Sequence, residues 1–229
     1  MPDVREDGCR LNRHMRPVRA VAFDFNGTLS DDEPILLSVY RELFAEQGRP
    51  LTDDEYYETL AGRSEEAIIG TWLGVEGDAL ESLVEERIER YLARCGRGET
   101  VSDPVRDAVA YAAGRMPVAV VSGAFRREIE PVLVGAGLAR HVSVLVTADD
   151  VERGKPDPAA YSLAVDLLGG GIAASDVVAF EDTEAGVASA KAAGLRCVAL
   201  VGTHPRERLC EADELVDTLD VGVVRRILG

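Results

Sequence analysis

The chain has 229 residues, of which 46% are hydrophobic, and its 25 basic and 41 acidic side chains give a formal net charge of −16. This acidic balance argues against binding to a nucleic-acid backbone and against a polybasic membrane anchor. The hydrophobic content excludes wholesale disorder, and the length fits one large domain or a domain with a smaller companion.

Residues 1–17 are polar, arginine-rich and without periodicity, which predicts a flexible N-terminal extension. The first residues lack the apolar segment of a secretory signal, and no apolar stretch reaches the ~18 residues that a membrane span needs. The four cysteines form neither a C-x-x-C pair nor a cluster with zinc spacing. We therefore expect a cytoplasmic protein with reduced thiols.

Short apolar runs in the remainder of the chain predict buried strands. They cover residues 18–25, 117–121, 142–146, 177–180 and 197–201. Each run is continuous rather than alternating, which is typical of strands buried on both faces of a parallel sheet. Helical patterns separate these strands at about 103–114, 126–136, 157–169 and 183–193. This alternation predicts an α/β fold with a doubly wound parallel sheet.

The segment between the first strand and the rest shows helical patterns and no strand signal. The patterns lie at about 33–47, 53–60, 64–73 and 78–95. Thr52 and Glu55 have the spacing of a capping box, and the glutamate-rich run 81–89 is interpreted as a solvated helix face. The sequence therefore predicts an α/β core of residues 18–30 and 104–229, interrupted by a small all-α helical cap of residues 31–103.

Polar residues follow the predicted strands, where an open α/β sheet binds its ligands. They are Asp24, Ser122 with Gly123, Lys155, and Glu181 with Asp182. A lysine, a hydroxyl and a glycine amide supply the cation and the donors that a phosphate needs. The carboxylates would repel that phosphate unless a cation lay between them, and hard oxygen ligands suit Mg²⁺.

The four motifs, in this order, resemble the haloacid dehalogenase superfamily of phosphohydrolases. The similarity covers nearly all of residues 18–217 and is to the group with a helical cap after the first motif, which includes phosphoglycolate phosphatase and beta-phosphoglucomutase. The resemblance implies a Rossmann-like core and a Mg²⁺-dependent phosphohydrolase that acts on a small phosphorylated metabolite through an aspartyl-phosphate. It leaves open whether the protein is a monomer or a homodimer.

The resemblance also implies roles for individual residues. Asp24 resembles the nucleophile, and Lys155 the lysine that neutralises it and the phosphoryl group. Ser122 and Gly123 resemble the phosphate-binding pair. The implied metal ligands are Asp24, the backbone carbonyl of Asn26, Glu181 and Asp182. Arg63 lies where a cap loop reaches the leaving group, and it is either a substrate-binding residue or an exposed arginine beside Ser64.

Asn26 departs from the family pattern, because a second aspartate, the general acid/base, normally stands there. An amide keeps the backbone carbonyl for the metal but cannot protonate a leaving alkoxide, a contribution typically worth about 10²–10⁴-fold. Three interpretations remain open: a slow or specialised phosphatase, a non-catalytic phosphometabolite-binding or regulatory protein, or an engineered trap. The first predicts a preference for good leaving groups, such as aryl or acyl phosphates.

Two absences argue against other chemistries of the same superfamily. Residues 31–103 contain no lysine, so the Schiff-base chemistry of the phosphonate-cleaving branch has no cap amine. The segment from Asp31 to Leu36 resembles a mutase stretch, but Leu36 stands where a mutase would carry a histidine. The sequence therefore favours a phosphatase over both alternatives.

Overall fold

The computed structural model describes residues 17–61 and 63–229. The predicted N-terminal extension, residues 1–17, therefore falls outside the described residues except for Pro17. Within the described ranges, no helix is both long and apolar enough to cross a membrane.

One parallel sheet forms the centre of the molecule. The strands of the described residues are β1 Ala20–Phe23, β2 Val118–Val121, β3 Val144–Val146, β4 Val177–Glu181, β5 Arg196–Leu200 and β6 Glu214–Val216. They lie in the order β3-β2-β1-β4-β5-β6, so the chain reverses direction across the sheet between β1 and β4. Ligands of doubly wound sheets bind at this crossover. The edge strand β6 was not predicted, because its two apolar residues, Leu215 and Val216, stand between charged residues and form no continuous apolar run.

Helices surround the sheet and fill the segment between β1 and β2. That segment contains α1 Glu33–Glu46, α2 Asp53–Glu55, α3 Glu65–Leu73, α4 Gly77–Cys95 and α5 Asp103–Ala113. After β2 come α6 Arg126–Gly135, α7 Ala159–Leu168, α8 Glu184–Ala192 and α9 Val221–Leu228. The predicted helix at 53–60 is α2 followed directly by a π-helical turn, Tyr56–Leu60. The domain boundaries given above stay a prediction.

Alternate residues of β1 face two hydrophobic clusters on opposite sides of the sheet. Phe23 belongs to the cluster that also contains Tyr40 of α1 and Tyr91 of α4, so the cap helices share a core with one face of the sheet. Ala22 belongs to the cluster that contains Tyr161 of α7. Successive side chains of a strand point to opposite faces, and both faces are therefore covered.

Helix capping fixes the cap segments that border the site. Thr52 and Glu55 form the predicted capping box: the Glu55 amide donates to Thr52 Oγ1 at 3.3 Å, and the Thr52 amide donates to Glu55 Oε2 at 2.9 Å. The capped turn leads directly into Tyr56, which is buried. Ser64 caps α3 by accepting a hydrogen bond from the Ala67 amide at 3.4 Å. These caps set the backbone on either side of Arg63.

Candidate active site

The predicted site residues at the ends of β1, β2 and β4 lie side by side. The Asp24 amide donates to the Phe180 carbonyl at 2.9 Å, which extends the β1–β4 pairing to the first site residue. Lys155 Nζ lies 2.5 Å from Asp24 Oδ1 and 2.5 Å from Glu181 Oε1. It also donates to the Val121 carbonyl at 3.1 Å. One nearly buried ammonium therefore joins the ends of three strands.

Three buried carboxylates meet at this point. Asp24, Glu181 and Asp182 each present an oxygen, and these oxygens all lie within 4.8 Å of one another. Burial raises the pKa of Asp24, although the charge of Lys155 opposes the shift. Burial also raises the pKa of Asp182 well above its usual range, and the charges of Asp24 and Glu181 raise it further. When Asp24, Glu181 and Asp182 are all ionised, the single ammonium of Lys155 does not balance their negative charge.

The donor chemistry of this cluster fits a hard divalent cation. Asp182 Oδ2 is buried and makes no well-formed hydrogen bond to the described residues, although the Thr203 hydroxyl lies near enough to lower the pKa of Asp182. Buried carboxylate oxygens are paired or bind metals, because an isolated buried charge is costly. All three candidate ligand atoms are carboxylate oxygens, which Mg²⁺ prefers. The residues present are therefore compatible with the Mg²⁺ that the resemblance implies.

Two glycines leave room for the carboxylates. Gly27 has a φ of +75°, and a Cβ at this position would overlap the Asp182 carboxylate. A Cβ on Gly186 would overlap the carboxylate of Glu181. Gly27 also combines this close approach with a left-handed backbone that other residues rarely adopt. Both positions therefore require glycine for the acidic cluster to form.

Neighbouring hydroxyls hold the carboxylates in place. Thr28 Oγ1 lies 3.3 Å from Asp182 Oδ1. The Tyr161 hydroxyl donates to Glu181 Oε1 at 2.7 Å, the same oxygen that receives Lys155. Thr183 caps α8 by accepting from the Gly186 amide at 3.0 Å. Glu181 is therefore fixed mainly by Lys155 and Tyr161, an arrangement that orients the lysine toward Asp24.

Asn26 is held by a carboxylate that the sequence analysis did not single out. Asn26 Nδ2 donates to Asp32 Oδ2 at 3.0 Å, and the Tyr91 hydroxyl donates to the same oxygen at 2.5 Å. Asp32 is fully buried, and burial raises its pKa to about 6. The amide of Asn26 therefore points its nitrogen at Asp32 and its oxygen toward Ser122, whose Oγ lies 3.5 Å away.

The predicted phosphate-binding pair lies beside the carboxylates. The Ser122 amide donates to the Val146 carbonyl at 3.0 Å, and its side chain accepts from the Ala124 amide at 3.1 Å. Ser122 is buried, whereas Gly123 borders the open space above Asp24. The structure thus brings the predicted hydroxyl and glycine to the same end of the sheet as Asp24 and Lys155.

A narrow cavity between the cap and the sheet borders the site. It offers about 70 Å³ to water-sized molecules, enough for a few small groups. Asp24, Asn26 and Lys155 line it from the sheet side, and Arg63 borders it from the cap. The predicted substrate-binding arginine therefore lies at the same cavity as the predicted nucleophile.

Several cap residues that line this cavity were not predicted as site residues. Among them are Glu33, Tyr56, Glu65 and Arg87. The interpretation of residues 81–89 as a solvated face is wrong at Arg87, which is fully buried. Its Nε lies 3.1 Å from Glu65 Oε2, and it forms an ion pair with Glu128 of α6. The signal in the sequence that could have indicated a buried ion pair was the single arginine within this glutamate-rich run.

A family model described as haloacid dehalogenase-like hydrolase matches residues 18–194 of this chain. The matched range spans most of the chain and runs from β1 past the acidic pair at the end of β4. The chain therefore belongs to the haloacid dehalogenase-like hydrolase family, as the order of its motifs predicted.

Curated relatives and solved structures agree with this assignment. The chain is 34% identical over 204 residues, 88% of its length and 94% of the relative's, to the validoxylamine A 7'-phosphate phosphatase of Streptomyces hygroscopicus subsp. limoneus. It is 30% identical over 181 residues, 78% and 82% respectively, to a phosphorylated carbohydrates phosphatase of Thermotoga maritima. The crystal structure of CbbY from Rhodobacter sphaeroides with phosphate matches at a TM-score of 0.79 and 26% identity, covering 88% of this chain and 95% of that one.

These similarities confirm two predictions. The fold is a doubly wound parallel sheet with a helical cap, as in CbbY. The class of enzyme is a phosphate-monoester hydrolase of the haloacid dehalogenase type.

Proposed function

We propose that the protein is a Mg²⁺-dependent phosphohydrolase of a small phosphorylated metabolite and works through an aspartyl-phosphate on Asp24. The observation that carries the proposal is the contact of Lys155 with both Asp24 and Glu181 beside the unpaired oxygen of Asp182. A nucleophilic carboxylate next to a fixed cation and beside carboxylates that could hold a metal is suited to attack a phosphate, which carries negative charge itself.

In the proposed reaction Asp24 attacks phosphorus, and the bond to the leaving oxygen breaks. The positive charge of Lys155 favours the ionised form of Asp24, whose pKa burial raises, and offsets the charge on the transferring phosphoryl group. Ser122 and the Gly123 amide donate hydrogen bonds to its oxygens. Water then hydrolyses the aspartyl-phosphate and restores the Asp24 carboxylate.

Four residues would hold the metal: Asp24, Asn26 through its backbone carbonyl, Glu181 and Asp182. Bound Mg²⁺ would supply positive charge that stabilises the developing negative charge on phosphate oxygens. The carboxylates keep that charge at the end of the sheet, next to the nucleophile. Glu181 also accepts a hydrogen bond from Lys155, so it connects the proposed metal ligands to the proposed phosphate-binding lysine.

The substrate class follows from the relatives and from the cap. Two of the relatives are a phosphatase of phosphorylated carbohydrates and an N-acetylmuramic acid 6-phosphate phosphatase. The cavity of this chain is lined by hydroxyls and ionic groups rather than by apolar side chains alone. We therefore propose a phosphorylated carbohydrate or a similar polyhydroxylated molecule, with Arg63 in contact with the leaving group.

The second candidate is a non-catalytic phosphometabolite-binding protein, which Asn26 favours because the position of the usual acid/base holds an amide. Such a protein would bind the same ligands through Ser122 and Lys155 without releasing phosphate. The two candidates differ in turnover and not in binding.

Phosphate release from a panel of sugar phosphates at pH 7 tests the proposal. With Mg²⁺ the protein should release phosphate, and EDTA or Asp24→Asn should lower the rate by at least about 10³-fold, since either removes an indispensable part of the site. The matched control is Asp166→Asn, which makes the same change on an exposed face of α7. Turnover that survives Asp24→Asn would refute the mechanism. Binding of the sugar phosphates with no turnover would select the second candidate.

We also propose that the protein acts in the cytoplasm, as a monomer or a homodimer, and on small molecules rather than on nucleic acid or membranes. Cys95 and Cys197 are free and buried, which supports a reducing compartment. Size-exclusion chromatography with light scattering would decide between one and two copies.

A further inference from the structure

We propose that Glu33 is the acid that protonates the leaving oxygen, the role that the amide of Asn26 cannot perform. This inference rests on the proposed phosphohydrolase function. It assigns a catalytic residue to the cap side of the cavity, at the start of α1, seven positions after Asn26.

The position of Glu33 supports this role. Glu33 lines the same narrow cavity as Asp24, Asn26 and Lys155. The leaving group must extend from the phosphoryl group on Asp24 toward the cap, because the sheet and its carboxylates occupy the other side. A carboxyl that starts the first cap helix therefore borders the path of the leaving oxygen.

The orientation of the Glu33 side chain supports it as well. The Tyr56 hydroxyl donates to Glu33 Oε2 at 3.0 Å. Oε1 accepts no hydrogen bond from the described residues and is not among the buried unpaired atoms. One oxygen is therefore hydrogen-bonded to the cap, and the other has no donor among the described residues and is free to carry a proton.

The protonation state of the Glu33 carboxyl also suits an acid. Burial raises the pKa of Glu33 to about 7, and the charges of Asp32 and Asp24 raise it, whereas the Tyr56 hydroxyl lowers it. The charged and titratable groups around Glu33 are Asp32, Tyr56, Tyr57, Arg63, Glu65, Arg87, Asp24, Lys155 and Asp182. An acid works best when its pKa lies near the working pH.

The proposed steps balance. As Asp24 attacks phosphorus and the bond from phosphorus to the leaving oxygen breaks, the Glu33 proton moves to that oxygen, giving a neutral alcohol and a Glu33 carboxylate. In the second step a water oxygen attacks phosphorus, and the bond to Asp24 breaks. The phosphate leaves as H₂PO₄⁻ and loses a proton to solvent, and solvent returns a proton to Glu33, so this second step, which both substrates share, does not need Glu33 as a base. The net reaction consumes one water and releases an alcohol and phosphate.

Glu33→Gln, assayed on an alkyl and an aryl phosphate, is the first test. Glucose 6-phosphate has a poor leaving group and 4-nitrophenyl phosphate a good one, so only the first needs the proton. Glu33→Gln should slow the alkyl substrate by about 10²-fold and the aryl substrate by less than about threefold. The matched control, Glu58→Gln, alters an exposed cap glutamate outside the cavity and should change neither rate.

The pH dependence of kcat is a second test, because a purely structural role of Glu33 would not change it. For the alkyl substrate, wild-type kcat should fall above about pH 7 as Glu33 loses its proton, and the aryl substrate should lack this limb. Tyr56→Phe removes a donor that stabilises the carboxylate, so the limb should move to higher pH. In metal-free protein, ¹³C NMR of the labelled carboxyl should show Glu33 titrating near pH 7.

Rescue separates chemistry from folding. When Asn26→Asp is combined with Asp32→Asn, a carboxyl returns to position 26, and adding Glu33→Gln should then cost less than about fivefold on the alkyl substrate. Equal losses on both substrates, a Glu33 that titrates near pH 4.5, or no rescue would each overturn the inference. A wild type that turns over neither substrate would refute the proposed function itself, and the inference with it.

Discussion

At the scale of single residues, the pair of Asn26 and Asp32 explains why an amide fits at position 26. The buried Asp32 carboxyl accepts from Asn26 Nδ2 and from the Tyr91 hydroxyl, and the nearby Ser30 hydroxyl and Gly27 amide also help to lower its pKa. A carboxylate at position 26 would face a second carboxylate at hydrogen-bond distance. The asparagine at position 26 therefore supplies a hydrogen-bond donor to the buried carboxyl of Asp32.

Asn26→Asp alone should therefore be destabilising, by about 1–3 kcal/mol, because it replaces a hydrogen bond to a buried carboxyl with a contact between two acids. The combination of Asn26→Asp with Asp32→Asn exchanges donor and acceptor and should recover most of the loss. Urea denaturation at pH 7.5 measures both. The explanation fails if the single variant is as stable as the double one.

At the scale of elements, a buried ion cluster joins the cap to the sheet. Arg87 of α4 is fully buried between Glu65 of α3 and Glu128 of α6, and the Tyr40 hydroxyl also donates to Glu65. Arg87 lies over the Tyr40 ring at 5.3 Å. Two buried carboxylates thus share one guanidinium, and this cluster ties α4 to α6 where the cavity closes.

Arg87→Ala should lower the free energy of unfolding by about 3–5 kcal/mol, since it leaves two buried carboxylates without their cation. The control is Arg127→Ala, which breaks the exposed pair of Arg127 with Glu85 across the same two helices. An exposed pair contributes about 0–1 kcal/mol. Chemical denaturation compares the two variants, and similar losses would contradict the assigned importance of burial.

At the scale of the whole molecule, negative charge opposes folding, and the proposed metal would offset part of it. The formal charge is −16, and burial raises the pKa of Asp32 to about 6 and of Glu33 to about 7. Such groups bind more protons in the folded than in the unfolded state between about pH 4 and 7, so stability falls as pH rises through that window. His204, whose pKa burial lowers, opposes this trend, and so do carboxyls such as Glu46 and Glu55, whose pKa values hydrogen bonds lower, at the acid end of the window.

The metal-free protein should therefore melt at a lower temperature at pH 8 than at pH 5.5. A loss of about 2 kcal/mol corresponds to roughly 4–8 °C for a chain of this size. Mg²⁺ should restore stability at pH 8 and much less at pH 5.5, because protons compete for its carboxylate ligands. Calorimetry in EDTA and in Mg²⁺ measures this, with Asp182→Asn expected to remove the Mg²⁺ effect. A Tm that rises with pH in EDTA would contradict the argument.

The sequence by itself determined the fold class, the family and the set of residues at the strand ends. Buried parallel strands show as continuous apolar runs, and ligand residues of such sheets follow the strands directly, so both signals are local in the chain. Asp24, Lys155 and Asp182 were accessible in this way. The edge strand β6 was not, because charged residues interrupt its apolar pattern. The π-helical hydrogen bonding at Tyr56–Leu60 was not, because its sequence has the pattern of an ordinary helix.

Only the tertiary structure decided which cap residues reach the site and what surrounds Asn26. Glu33, Asp32 and Arg87 look alike in sequence to solvated charges on helices, and nothing local separates them from exposed neighbours such as Glu85. Their burial depends on α1 and α4 packing over the sheet, and their pKa values depend on partners up to 59 positions away, as Tyr91 is from Asp32. Desolvation and pairing are set by contacts between distant segments, and a sequence pattern does not contain them.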